Sequence, residues 1–235
     1  AIRDVYKRQI LLAVGLLFKV GAVPFHNWTP DVYTGAPSPV TAFMSIATKM
    51  VAVLGLMRVM YVALGAMRWD WQLLLAVVAV ASMAVGSIVG LSQTDMKRML
   101  AYSSIAHAGF IMVGVVGAYT LQTGQRPDQT GSVSSVLIYL AGYGLATIGF
   151  FMVILMVRKA GGESTEIDSW AGLGRRHPML GALIVLFMLS FAGIPATAGF
   201  TGKLFVFLAG WRGGYAWLVL LGVIFSLVAA YFYLH

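Results

Sequence analysis

The sequence has no cysteine. That excludes disulfides, thiolate zinc sites, iron–sulfur clusters and covalently attached c-type haem. It also lacks the patterns G-x-G-x-x-G and G-x-x-x-x-G-K-[ST], so no dinucleotide site or phosphate-binding loop is marked. Any redox reaction this chain serves moves its electrons elsewhere. Charge is the next scarcity. Only 10% of the 235 residues are charged and 60% are hydrophobic, whereas a soluble domain carries about 25% charged residues. The net charge of +8 does not mark a nucleic-acid surface, because the basic residues form no stripe with interleaved aromatics.

What the chain has instead is long apolar runs. A helix needs about 20 such residues to cross a bilayer. Seven runs qualify, over 10–28, 38–63, 72–92, 98–119, 134–157, 180–209 and 216–234. Open strands leave their backbone unsatisfied in lipid, so the runs are read as helices. The fold class is all-α: a multi-pass transmembrane helical bundle. The aromatic residues, mostly near run ends, read as membrane-interface residues. By alternation, Lys97, Arg98, Arg158, Lys159, Arg175 and Arg176 fall on one side. Arg68, Arg126, Arg212 and the N-terminal cluster fall on the other. Basic residues favour the cytoplasmic side, which predicts cytoplasmic loops at 92–97 and 158–179 and a cytoplasmic turn near 29–37. Residues 1–9, "AIRDVYKRQ", are polar, break abruptly into the first run and lack a signal-peptide cleavage site. They are read as a foreign junction or a damaged reading frame. Residues 10–235 are read as one membrane domain, truncated at both ends.

Two runs are interrupted. The first holds Gly21 and Pro24. The sixth holds Gly193, Pro195, Gly199 and Gly202 just before Lys203. Breakers at this density argue against a continuous helix. Paired interrupted spans point to a midplane ion site in transporters, so two discontinuous helices are expected, with an internal repeat behind them. Asp95 is placed to cap the fourth helix, and Gly142 and Ala146 give the fifth a close-packing face.

Lys19, Lys49 and Lys203 lie inside runs. A central lysine costs about 2.5–3.5 kcal/mol on insertion scales. Reaching for the interface is the plain alternative, weakest for Lys49 in the middle of its run. Burial brings a lysine's proton loss toward neutral pH, so the three form a candidate proton relay. His26 and His107 extend it, since histidine titrates near neutrality. A buried histidine bonded to a carbonyl or hydroxyl is the plainer reading of each, and a shared b-type haem is disfavoured. The eight acids, Asp4, Asp31, Asp70, Asp95, Asp128, Glu163, Glu166 and Asp168, all lie outside the runs. The relay's carboxylate partner is therefore expected in another segment or subunit.

The stretches "FKVGAVPFHNWTPDVYTGAPSPVTAFMSIATK", "LSQTDMKRMLAYSSIAHAGF" and "LSFAGIPATAGFTGKLFVF" resemble, in order, blocks of the N (ND2) subunit family of NADH–quinone oxidoreductase, respiratory complex I. The resemblance covers residues 10–235, about spans seven to thirteen of some fourteen. It implies an antiporter-like proton-translocating subunit in which Lys19, Lys49 and Lys203 match the buried lysines of spans seven, eight and twelve. It implies discontinuous spans seven and twelve, and a glutamate upstream as the partner of Lys19. Ala196 stands where a second proline is common, and Thr201 where a larger apolar residue is common. The resemblance places no cofactor in this chain: NADH, flavin, iron–sulfur clusters and quinone belong to partner subunits. The implied partners are the other membrane-arm subunits, the lipid bilayer and protons, in a bacterial plasma membrane. A multi-subunit cation/proton antiporter, or the membrane arm of a related hydrogenase or photosynthetic complex, is the alternative.

Overall fold

The computed structural model describes residues 2–118, 129–159 and 162–234. Arg126 and Asp128 lie outside these. Five helical stretches are long and apolar enough to cross a membrane: Ser38–Ala63, Gly65–Gly90, Met96–Val116, Gly131–Met156 and Ala216–Leu234. They correspond to five of the predicted runs. The other two runs are the interrupted ones, and both are broken. Helix α1 (Ile2–Val20) stops and the chain resumes as α2 (Trp28–Gly35). Helix α8 (Pro178–Ala192) stops and resumes as α9 (Ala198–Arg212). Between them stand α3 (Ser38–Arg58), which ends in a π turn, α4 (Arg68–Gly90), α5 (Met96–Val116) and α6 (Gln129–Met156). After the short α7 (Leu173–Arg176), α8 and α9, α10 (Ala216–Leu234) closes the chain.

The two breaks have the same local chemistry. A helix leaves its last carbonyls without partners, and a glycine in the left-handed region lets the following amides turn back onto them. Gly21 has φ +78° and Gly193 has φ +80°. At the first break Ala22 N donates to Leu17 O at 3.0 Å and Gly21 N to Phe18 O at 3.0 Å. At the second, Ile194 N donates to Leu189 O at 3.0 Å and Gly193 N to Ser190 O at 3.1 Å. Pro24 and Pro195 then prevent the helix from continuing. Ala196 adopts φ +76°, a region disfavoured for a residue with a Cβ.

Helix α5 is the centre of the bundle. Its apolar residues run all round it, as in a helix enclosed by others, and nearly all its side chains are buried. Asp95 caps it, accepting from Arg98 N at 2.9 Å. Helix α6 approaches α9 at Gly142, where an added Cβ would sit 3.2 Å from Ala198 O. Large apolar side chains such as Phe43, Val77, Leu145 and Leu227 face outward, as lipid-facing residues do. Tyr139 and Tyr143 do not join the interface set: both are buried. They correct the reading of the aromatics as interface residues.

One end of the bundle is tied together by the loop that follows α6. Its strands β1 (Arg158–Lys159) and β2 (Gly162–Glu163) pair antiparallel. Beyond them Met96 N donates to Thr165 O at 2.7 Å and Ile167 N to Thr94 O at 2.9 Å. The start of α5 and the loop thus share one end, here called the loop side, as the charge pattern predicts.

Candidate functional site

The buried polar residues converge on α5 from five other elements. Lys49, His107 and Lys203 are 3%, 3% and 5% exposed, so none reaches an interface. Lys49, on α3, donates to the carbonyl oxygen of Ser104 at 2.5 Å and to its hydroxyl. Its ammonium lies 5.3 Å from the centre of the Tyr143 ring. Tyr33, from α2, brings its hydroxyl to within 3.3 Å of Ser104 Oγ.

His107 follows Ser103 and Ser104 by about one turn of α5, which places the three on neighbouring positions of one face. Its Nδ1 is 2.6 Å from the Tyr139 hydroxyl and its Nε2 is 3.3 Å from the Tyr233 hydroxyl. Tyr233 also bonds Ser103 Oγ. A neutral imidazole has one donor and one acceptor nitrogen, and a phenol takes either role. Both tautomers of His107 are therefore satisfied, and a proton shift across the ring leaves no orphaned group. With both nitrogens taken by tyrosines, the ring is not set up as a haem ligand.

Beyond His107 lies a cavity of about 10 Å³ lined by Tyr139, Tyr143, Ser190, Phe191, Gly199 and Gly202. One water needs about 10–15 Å³. On its far side is the second helix break. The Leu189 and Ser190 carbonyls at the end of α8 are taken by turn amides, while those of Phe191 and Ala192 each accept from Lys203 Nζ at 2.9 Å. Ser226 on α10 accepts the third bond at 2.9 Å, and the Phe110 ring lies 5.0 Å away. The break supplies the acceptors that hold the ammonium.

Lys49, His107 and Lys203 are thus buried together around α5. Lys19 and His26 do not join them. Lys19 is exposed on the flank of α1 and, among the described residues, has no hydrogen-bonding or ionic partner. His26 is half-buried in the first break. No carboxylate lies within ion-pair distance of Lys49 or Lys203 among the described residues, which hold no cluster fit for a metal. Sequence reasoning missed Ser104, Tyr139, Tyr143, Tyr233 and Ser226. The one available signal was the pair Tyr139 and Tyr143, one turn apart in mid-run.

A model of the family described as NADH:quinone oxidoreductase/Mrp antiporter, transmembrane, matches residues 5–229. The chain belongs to this family. Within this NADH:quinone oxidoreductase/Mrp antiporter family, NADH-quinone oxidoreductase subunit N of Cutibacterium acnes is 76% identical over 226 residues, covering 96% of this chain and 42% of that protein. A chain of respiratory complex I from Thermus thermophilus with bound Aureothin superimposes with a TM-score of 0.79 at 36% identity, covering 96% of this chain and 47% of that one. A chain of the Mrp complex from Dietzia sp. gives a TM-score of 0.84 at 22% identity, over 98% of this chain and 41% of that one; this is a likeness of fold alone. The chain spans less than half the length of these relatives.

Proposed function

We propose that this chain is the proton-translocating region of an N-type subunit of NADH–quinone oxidoreductase, carrying protons along Lys49, His107 and Lys203. The observation that carries the reading is the burial of Lys49, His107 and Lys203 around α5, with Ser104 and Tyr143 against Lys49, a small cavity between His107 and the second helix break, and Lys203 held at that break. A proton leaving Lys49 passes by way of the Ser104 hydroxyl toward His107, enters and leaves the ring through the Tyr139 and Tyr233 hydroxyls with a change of tautomer, and goes on to Lys203 at the second break.

The chain holds no redox centre in this reading. NADH, flavin, iron–sulfur clusters and quinone are assigned to partner subunits of a hetero-oligomer. Lys19 is assigned the link to a carboxylate on a neighbouring segment, in keeping with its outward position. The loop side is assigned to the cytoplasm of a bacterial plasma membrane, since Lys97, Arg98, Arg175 and Arg176 gather there. Residues 10–235 act as the translocating domain.

The test uses the full-length gene carrying Lys49→Met, in inverted membrane vesicles, after checking that the complex assembles. NADH–quinone turnover and the proton gradient are followed together. Both are expected to fall at least tenfold. Unchanged turnover with an unchanged gradient overturns the reading. If sodium-driven proton exchange is lost instead, the antiporter reading replaces it.

A further inference from the structure

Glu163 sits on β2 at the loop side, where it takes three donors. Lys97 Nζ lies 2.6 Å from its Oε2. Ser38 donates its hydroxyl to Oε2 at 2.6 Å and its amide to Oε1 at 3.3 Å. Surface ion pairs are usually loose and solvated, but this one is fixed. The Lys97 side chain is 5% exposed and that of Glu163 24%, and Lys97 also donates to Ala36 O at 3.1 Å. Only one edge of the pair meets solvent. Pro37, at the N-cap of α3, offers no side-chain cap; Glu163 takes over that task from 125 residues away.

Beneath the pair, α3 carries Ser38, Thr41, Ser45 and Lys49. This spacing keeps all four on one helix face. All four are buried, in a helix whose other face turns Phe43 and Val51 outward. At about 1.5 Å per residue the rise from Ser38 to Lys49 is roughly 16 Å, about half of a hydrocarbon core some 30 Å thick. Three hydroxyls thus span the distance from the loop side to the midplane and end at the lysine. In this structure each is turned back on nearby acceptors. Ser38 donates to Glu163, Thr41 contacts the Tyr33, Ala36 and Pro37 carbonyls, and Ser45 donates to Ala42 O at 2.8 Å. The ladder is shut at its top by the ion pair.

We propose that the Glu163–Lys97 pair closes a hydroxyl-lined entrance through which protons reach Lys49 from the loop side, and that the entrance opens when Glu163 leaves Lys97 and Ser38. This rests on the reading of Lys49 as a proton carrier. The loop does not depend on the pair to stay in place, because the backbone bonds of Met96 to Thr165 and of Ile167 to Thr94 are independent of the Glu163 side chain. Opening is local to the carboxylate and the lysine.

Residues 1–235 contain no cysteine, so a thiol placed at position 45 can be followed on its own peptide. Ser45→Cys is introduced in the full-length subunit within the assembled complex. It is treated with a small, charged, membrane-impermeant methanethiosulfonate, in vesicles of each orientation, and modification of this subunit is read by mass spectrometry. Labelling is expected from the loop side only and slowly. Glu163→Gln is expected to raise its rate at least tenfold, and Glu163→Asp, which keeps the charge, to return it toward the slow value. Ser38→Ala, a milder change that spares the ion pair, is expected to raise it about threefold and serves if Glu163→Gln does not assemble. Labelling from the opposite side, or a rate that neither Glu163→Gln nor Ser38→Ala changes, overturns the proposal. Loss of the relay reading is seen separately, in Lys49→Met vesicles that still pump, and leaves the labelling result untouched.

Discussion

Replacing Gly199 with alanine tests whether the second helix break positions Lys203. Gly199 lies in the first turn of α9, against the end of α8. A Cβ there would overlap the Ser190 carbonyl oxygen and approach Ser190 Oγ to 3.1 Å. The obstruction is backbone, so no side chain can swing aside, and the start of α9 must move off α8. Overpacking of this kind costs about 1–3 kcal/mol. The bond from Gly199 N to Ser190 Oγ, 3.2 Å long, is lost as well, at about 0.5–1.5 kcal/mol. The sum is about 1.5–4.5 kcal/mol, and about 3 kcal/mol corresponds to a shift of roughly 100-fold in an equilibrium. Lys203 sits one turn further along α9, so the same displacement draws its ammonium from the Phe191 and Ala192 carbonyls. The assay is a heat titration of the detergent-solubilised complex, scored by retention of this subunit on native gels. Gly142→Ala is the comparison, because its Cβ would meet Ala198 O at 3.2 Å and Ala198 Cβ at 3.3 Å, a crowding relieved by a few tenths of an ångström. Gly199→Ala should dissociate at clearly lower temperature than Gly142→Ala, with proton pumping reduced in whatever assembles. A Gly199→Ala complex as heat-stable as the unaltered one would refute the account of the break.

Lys203→Met should leave the complex assembled, since the cost of orphaning the Phe191 and Ala192 carbonyls is offset by removing a buried ammonium. Proton pumping, read by a pH-sensitive dye in vesicles, should fall at least tenfold; retained pumping would remove Lys203 from the relay. Ala196→Gly should stabilise the subunit by about 1 kcal/mol, because glycine adopts φ +76° without the Cβ penalty; a lowered melting temperature would contradict this. Tyr139→Phe removes the hydroxyl 2.6 Å from His107 Nδ1 and should slow pumping several-fold with assembly unchanged, as measured in the same vesicles. Burial works to raise the Glu163 carboxyl, but hydrogen bonds from Lys97 and Ser38 outweigh it and hold it below its ordinary value. Its folded value thus lies below the unfolded one of about 4.3. The stabilisation is present above that pH and is lost as pH falls through the depressed value. The difference in heat stability between the unaltered complex and Glu163→Gln should vanish only in that acid range; a difference that vanishes near neutrality would count against it.

The broken helices were legible because glycine and proline act through the backbone, locally and without regard to neighbours. Lys49 was legible for a similar reason: a lone ammonium in mid-run has no interface within reach, whatever surrounds it. Tyr139 and Tyr143 were not, because a tyrosine in an apolar run has the same pattern whether it faces lipid, core or a histidine. Ser104 was hidden among serines that, in a helix, satisfy themselves on their own backbone. The Glu163–Ser38 contact joins residues 125 apart, and no local signal encodes such a pairing. The seven-residue step from Lys19 to His26 was real in the sequence, yet the break at Gly21 lies between them and cancels the shared face.

The two breaks also show why one lysine is enclosed and the other is not. Their glycine-centred caps are the same, and each leaves carbonyls at a helix end. The lysines, however, stand on opposite sides of the caps. Lys203 follows its break on α9, so its side chain reaches back across the gap to the carbonyls of α8 and to Ser226. Lys19 precedes its break, in the last turn of α1. There the Phe18 carbonyl is taken by Trp28 Nε1 at 2.9 Å, and side chains of a helix's last turn lean back along their own helix, away from the gap. The same backbone device therefore yields an internally satisfied ammonium at the second break and an outward-facing one at the first. Lys19 is thus left open to whatever packs beside α1, and Lys203 is held within the bundle.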